Sequence, residues 1–164
     1  MGCCVLGASG SIGSATIQAL TSKYSNKVEI RAGVRNPDKA DKVKGLQGVQ
    51  LVQADMGDKE KLTSTLKGVH ALFVVTPGAE KRVQLTINAV EAGKAAGVTF
   101  VLVVSVPTAD LTDTIFGRQC NEIESTVSKL GIPYNFLRLP YFLDNLWGFK
   151  DTIKNQSTLS LIHI

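Results

Sequence analysis

The sequence predicts an α/β fold, a doubly wound parallel sheet with helices on both faces. Three observations carry this. Short β-rich runs alternate along the chain with longer stretches at helical spacing, the pattern of βαβ units. A glycine-rich loop follows the first run and opens the first helical stretch. The 164 residues, 44% apolar and 20% charged, suffice for one domain with an ordinary core. Six strands joined by right-handed crossovers give an expected order of 3-2-1-4-5-6.

Each element has its own signal. Residues 3–6 (CCVL) are a continuous apolar run that ends in the glycines of GASGSIG, and residues 12–22 follow at helical spacing. Residues 28–34 (VEIRAGV) read as the second strand. Pro37 fits a first helical turn and predicts a short polar helix through about Lys44. Residues 49–54 are the third strand, and Asp58 is placed to cap a helix over 59–67. Residues 70–75 (HALFVV) stop at Thr76-Pro77-Gly78, and a long helix is expected over 80–96 with Gly97 as its C′ residue. Residues 98–105 form the most apolar strand, expected to be buried on both faces. A helix over 114–130 stops at Gly131, a sixth strand over 134–139 ends at Pro140, and a turn and helix are expected from Tyr141 to Lys154. Residues 158–164 read as a final strand or a ragged end.

Composition narrows the function classes. The net charge of +4 and the pI near 9.0 fit an anionic ligand or a solvated surface. No basic stripe with interleaved aromatics suggests nucleic acid. No apolar run approaches the roughly 20 residues that span a bilayer. Of the three cysteines, Cys3 and Cys4 are adjacent and Cys120 stands alone, which is neither zinc spacing nor a disulfide framework. Met1-Gly2 lacks the Ser or Thr that myristoylation wants at position 6, where Leu6 stands. With no secretory leader visible, the expected location is cytoplasmic.

The loop Gly7-Ala8-Ser9-Gly10-Ser11-Ile12-Gly13 reads G-x-x-G-x-x-G between a strand and a helix. Gly7 permits a tight turn, Gly10 lets a pyrophosphate approach the backbone, and Gly13 lets the helix pack on the sheet. Free N–H groups and the positive helix end then face phosphate, with Ser9 and Ser11 as further donors. A tight strand–helix turn with no ligand is the alternative. The end of the second strand selects the nucleotide, and here Val34-Arg35-Asn36-Pro37 offers a guanidinium fork for a 2′-phosphate, with Lys39 nearby. NADP is therefore expected over NAD, unless Arg35 is simply solvated. Asp55 ends the third strand, with Met56 beside it. It can accept from the adenine amine or cap a helix. Thr76, Pro77 and Ser105 end the fourth and fifth strands on the edge where such folds bind ligands.

The segments GASGSIG, VRNP, QADM and VVTPG, the Gly131-Ile132-Pro133 lead into NFLRLPYFLDNL, and Glu124 resemble the NmrA-like group of atypical short-chain dehydrogenases. The resemblance runs from Cys3 to about Trp147. It implies a Rossmann domain binding NADP(H) or NAD(H), with quinone and isoflavone-type reductases and non-catalytic redox sensors among its members. It points to reduction of a quinone-like acceptor, or to NADP(H) sensing with a regulatory protein partner. Near the nicotinamide it places Ser105, Tyr141, Phe142 and Asn145. There are two departures. No Tyr-x-x-x-Lys occurs, and Tyr134 and Arg138, which have that spacing, lie in an expected strand. The Lys that such reductases often keep four residues before the Glu is Cys120 here, with Arg118 close by. The group's chains also run on well past this length, so the expectation is a cofactor-binding half with its substrate lobe largely missing.

Overall fold

Strand formation follows the β-branched runs. In the computed structural model, which describes residues 1–24, 27–78, 80–140, 142 and 150–156, the strands are β1 (Gly2–Leu6), β2 (Glu29–Val34), β3 (Val49–Gln53), β4 (Ala71–Val74), β5 (Phe100–Ser105) and β6 (Tyr134–Arg138). They pair in parallel in the order β3-β2-β1-β4-β5-β6. The helices are α1 (Ser11–Tyr24), α2 (Lys59–Thr65), α3 (Arg82–Ala95), α4 (Ile115–Val127) and α5 (Lys150–Gln156). This is the doubly wound arrangement. The order reverses between β1 and β4, which opens a crevice at the carboxyl ends of those strands.

Alternating side chains send each strand's residues to two cores. Cys4, Leu6, Leu72, Val74, Val101 and Val103 join residues of α2, α3 and α4 on one face. Val5, Ile30, Ala32 and Val34 join Ile17 of α1 on the other. Local signals hold the helix ends. Asp58 accepts from Lys61 N–H at 3.1 Å, and Thr114 accepts from Gly117 N–H at 2.9 Å. Gly97, at φ +87°, closes α3 with Gly97 N–H donating to the Lys94 carbonyl and Val98 N–H to the Gly93 carbonyl.

Two elements differ from the sequence reading. The helix expected from Pro37 to Lys44 is only a 3₁₀ turn, Pro37–Lys39. Asn36 caps it by accepting from Asp38 N–H, and Ala40 (φ −113°, ψ 32°) leaves helical geometry. Ala40 and Val43 are buried instead, which anchors this segment by packing rather than by helical periodicity. β5 is also not buried on both faces. Val101, Val103 and Ser105 are covered, whereas Phe100 is 40% exposed and Leu102 and Val104 are half-buried. α3 and α4 lie on the covered side, while α1 packs on β1 and β2 at the far end of the other face. Of the turn and helix expected from Tyr141 to Lys154, the described part is α5, which runs from Lys150 to Gln156. Tyr141, residues 143–149 and residues 157–164 lie outside the described residues.

Candidate functional site

The glycine loop joins β1 to α1, and each glycine has a different neighbour. Gly7 has φ +75°, and a Cβ there would stand 2.2 Å from the Val75 carbonyl oxygen. A Cβ on Gly13 would meet the Gly7 carbonyl oxygen at 2.3 Å, so α1 rests directly on the loop. Gly10 is different. A Cβ there would meet only the Gly7 oxygen, at 3.4 Å, so the space above it is open. Gly10 N–H donates to the Gly7 carbonyl, and Ser14 N–H opens the α1 ladder on the Gly10 carbonyl. The N–H groups of Ser9, Ser11, Ile12 and Gly13 have no protein acceptor among the described residues. The first turn of α1 carries no acidic residue. This cradle suits an anion.

The other carboxyl-edge residues fall into two places. Arg35 is exposed at the end of β2, where its carbonyl accepts from Gln53 Nε2 at 3.5 Å, and no carboxylate pairs with it among the described residues. Asp55 borders a recess with Gln53, Asp58 and Lys61. Its Oδ1 accepts from Gly57 N–H at 2.8 Å, leaving Oδ2 without a protein donor among the described residues. The cap of α2 is Asp58, not Asp55. Met56 packs its side chain on the core, and its carbonyl accepts from Asn88 at 3.1 Å.

A cleft of about 670 Å³ brings together Ile12, Thr76, Ser105 and Cys120, with Phe142 and Arg82 also on its wall. That volume suits a small-molecule site. Pro77 adjoins it through its carbonyl, which accepts from Arg82 Nε at 3.3 Å. Tyr141 and Asn145 lie outside the described residues. Both hydroxyls that end strands here already donate to the protein. Ser105 Oγ donates to Glu124 Oε1 at 2.6 Å. Thr86 donates to the Arg82 carbonyl at 2.9 Å, so the 3.0 Å contact between the two threonines has Thr76 as its donor. Toward the cleft, Thr76 and Ser105 are left as acceptors.

Arg138 bridges two carboxylates behind Ser105. Its guanidinium reaches both Glu124 oxygens, at 3.0 and 2.7 Å, and both Asp110 oxygens, at 2.8 and 3.1 Å. Burial pushes the Glu124 carboxyl pKa up, but hydrogen bonds from Arg138 and Ser105 outweigh it and hold it below its ordinary value. Hydrogen bonds from Arg138 lower Asp110 as well. Elsewhere, burial pushes the Cys4 thiol up to about 12, so it is no nucleophile.

Residues 3–161 match the NmrA-like family. The chain belongs to the NmrA-like family. This NmrA-like chain is 34% identical over 142 residues to quinone oxidoreductase 2 of Escherichia coli (strain K12), covering 86% of the chain and 49% of that protein. It is 30% identical to an NAD(P)H azoreductase of Xenophilus azovorans, covering 93% of the chain and 52% of that protein. A crystal structure of the NADPH-dependent quinone oxidoreductase from Escherichia coli in complex with NADPH superposes with a TM-score of 0.85. Its identity is 31%, covering 96% of this chain and 55% of that one. The NmrA-like chain thus spans about half the length of the curated relatives it matches.

Sequence reasoning missed Arg82 and Phe116 of the cleft. The available signal was a cation in the first turn of a helix, where the dipole disfavours it. Arg118, read as a neighbour of the Lys slot, instead donates to the Thr112 and Asp113 carbonyls and does not line the cleft.

Proposed function

We propose that this chain binds NADP(H) along the carboxyl edge of its sheet and serves an NADPH-dependent reductase of quinone-like acceptors. The observation that carries this is the glycine cradle. Gly10 leaves open space, the N–H groups of Ser9, Ser11 and Ile12 are unpaired among the described residues, and Ile12 also lines the acceptor-sized cleft. The similarity to the NADPH-bound quinone oxidoreductase supports the same reading.

The residues present fit the cofactor. Gly7, Ser9, Gly10, Ser11, Ile12 and Gly13 hold the pyrophosphate at the N-terminus of α1. Arg35 pairs with the 2′-phosphate, and Asp55 Oδ2 is a free acceptor for the adenine amine, with Met56 beside it. Thr76, Pro77 and Ser105 border the nicotinamide end, and Tyr141 stays a sequence expectation outside the described residues. Thr76 and Ser105 present acceptors there, which suits the amide N–H groups of a carboxamide. NADPH supplies the hydride when bound. No acid of the Tyr-x-x-x-Lys kind stands in the sequence, so water protonates the reduced acceptor, which suits a quinone better than a plain ketone. With free thiols at Cys3, Cys4 and Cys120, the reading places the protein in the cytoplasm. No described helix is long and apolar enough to cross a membrane.

One observation favours a second reading, an NADP(H) sensor acting on a protein partner. Cys120, buried in the cleft, occupies the slot where the resemblance puts a Lys, and a thiol supplies no charge to a developing oxyanion. NADPH oxidation with duroquinone separates the two. Turnover that saturates in both substrates supports the reductase. NADPH binding without turnover on any quinone supports the sensor.

A further inference from the structure

We infer that Arg82 reads a negative charge on the acceptor, so that the cleft takes a planar aromatic acceptor carrying a carboxylate or sulfonate. This rests on the proposed role of the cleft as the acceptor site and names the substrate class for it.

Arg82 is in an unusual position for a structural arginine. It opens α3, where the helix dipole disfavours a cation. No carboxylate pairs with it among the described residues, and none lines the cleft. Among the described residues it is held by neutral groups alone. Nε donates to the Pro77 carbonyl at 3.3 Å, and the guanidinium lies 4.9 Å from the centroid of the Phe116 ring. It lies close to Gly78, where a Cβ would stand 3.0 Å from Arg82 Nη2.

The result is a guanidinium whose terminal N–H groups have no acceptor among the described residues, at the wall of a cleft otherwise lined largely by apolar side chains such as Val104, Phe116 and Phe142. Thr76 and Ser105 face the same cleft as acceptors. Arg82 is therefore its only charged donor among the described residues. A guanidinium fork matches a carboxylate or sulfonate in geometry as well as charge. The Phe116 and Phe142 rings supply apolar surface for an aromatic body.

The test is a binding titration on the full chain saturated with NADP⁺, which cannot reduce the probe. Anthraquinone-2-sulfonate is compared with its neutral analogue 2-(hydroxymethyl)anthraquinone. The wild-type chain should prefer the sulfonate by about tenfold or more, the loss expected when a charged hydrogen bond is absent. In Arg82→Gln the affinity ratio should fall to about one, and in Arg82→Lys it should lie between. An unchanged ratio in Arg82→Gln overturns the inference, and so does equal affinity for the two probes in the wild-type chain. A large loss of NADP⁺ affinity in Arg82→Gln also overturns it, since Arg82 would then read the cofactor. If neither anthraquinone binds the NADP⁺-loaded wild-type chain, the acceptor-site reading itself falls, and this inference with it.

Discussion

Among single residues, Gly10 and Gly13 differ in what a side chain would meet, open space at Gly10 and packed backbone at Gly13. A methyl on Gly13 falls 2.3 Å from the Gly7 oxygen. Gly13→Ala should lower stability by about 1–3 kcal/mol, the usual cost of overpacking. Gly10→Ala meets nothing nearer than 3.4 Å, so its melting temperature should stay near wild type while NADPH affinity drops at least tenfold. Paired thermal melts and calorimetric titrations check both. Equal destabilisation by the two variants would mean that the loop is only a tight turn. Arg35 is the second test at this scale. Removing one charge-assisted phosphate contact costs about 1.5–3 kcal/mol, so Arg35→Ala should weaken NADP binding by roughly ten- to a hundredfold and leave NAD nearly unchanged. Equal loss for both nucleotides would assign Arg35 to the fold. The places of Gly10 and Gly13 in the fold were legible in the sequence because strand–glycine–helix context is local. Arg82 was not, because its partner Phe116 meets it only through the packing of α3 against α4.

Among the elements, the Arg138 bridge ties β6 to α4 and to the 3₁₀ turn Pro107–Asp110. Both carboxyls it holds have pKa values lowered from their ordinary 4.5 (Glu124) and 3.8 (Asp110). A lowered folded pKa contributes stability that is fully present above the ordinary value and is lost as pH falls through the lowered one. Wild type should therefore exceed Arg138→Met in melting temperature at pH 7, and the gap should close as pH falls below about 4. A gap that does not change with pH would assign the loss to packing. The spacing of Tyr134 and Arg138 identified no catalytic pair, and the strand explains why: residues four apart on a strand do not meet as they do on a helix. The elements themselves were mostly readable from apolar runs and glycine stops. The segment after Pro37 was not, because burial of Ala40 and Val43 overrode the helical signal. β5 read as doubly buried from its composition, which carries no information on which face a helix covers.

For the whole molecule, the strand order followed from alternation and crossover handedness, and the sheet adopts it. The shape of the cleft was not legible, since it assembles Ile12, Thr76, Arg82, Ser105 and Phe142 from distant parts of the chain. Its rim is wet. Phe116 is 41% exposed and Phe142 is 40% exposed. Hydride transfer needs an acceptor held at about 3–3.5 Å with water kept out. This chain should therefore reduce duroquinone more slowly than about 1 s⁻¹, the low end of ordinary enzymes. A steady-state rate well above that would show that the described cleft already suffices. Whether the glycine cradle binds a dinucleotide is decided by calorimetric titration of the purified chain with NADPH and NADH. Saturable one-to-one binding is expected, with NADPH favoured by about tenfold or more. Absence of both heat and thermal shift with either nucleotide would contradict it.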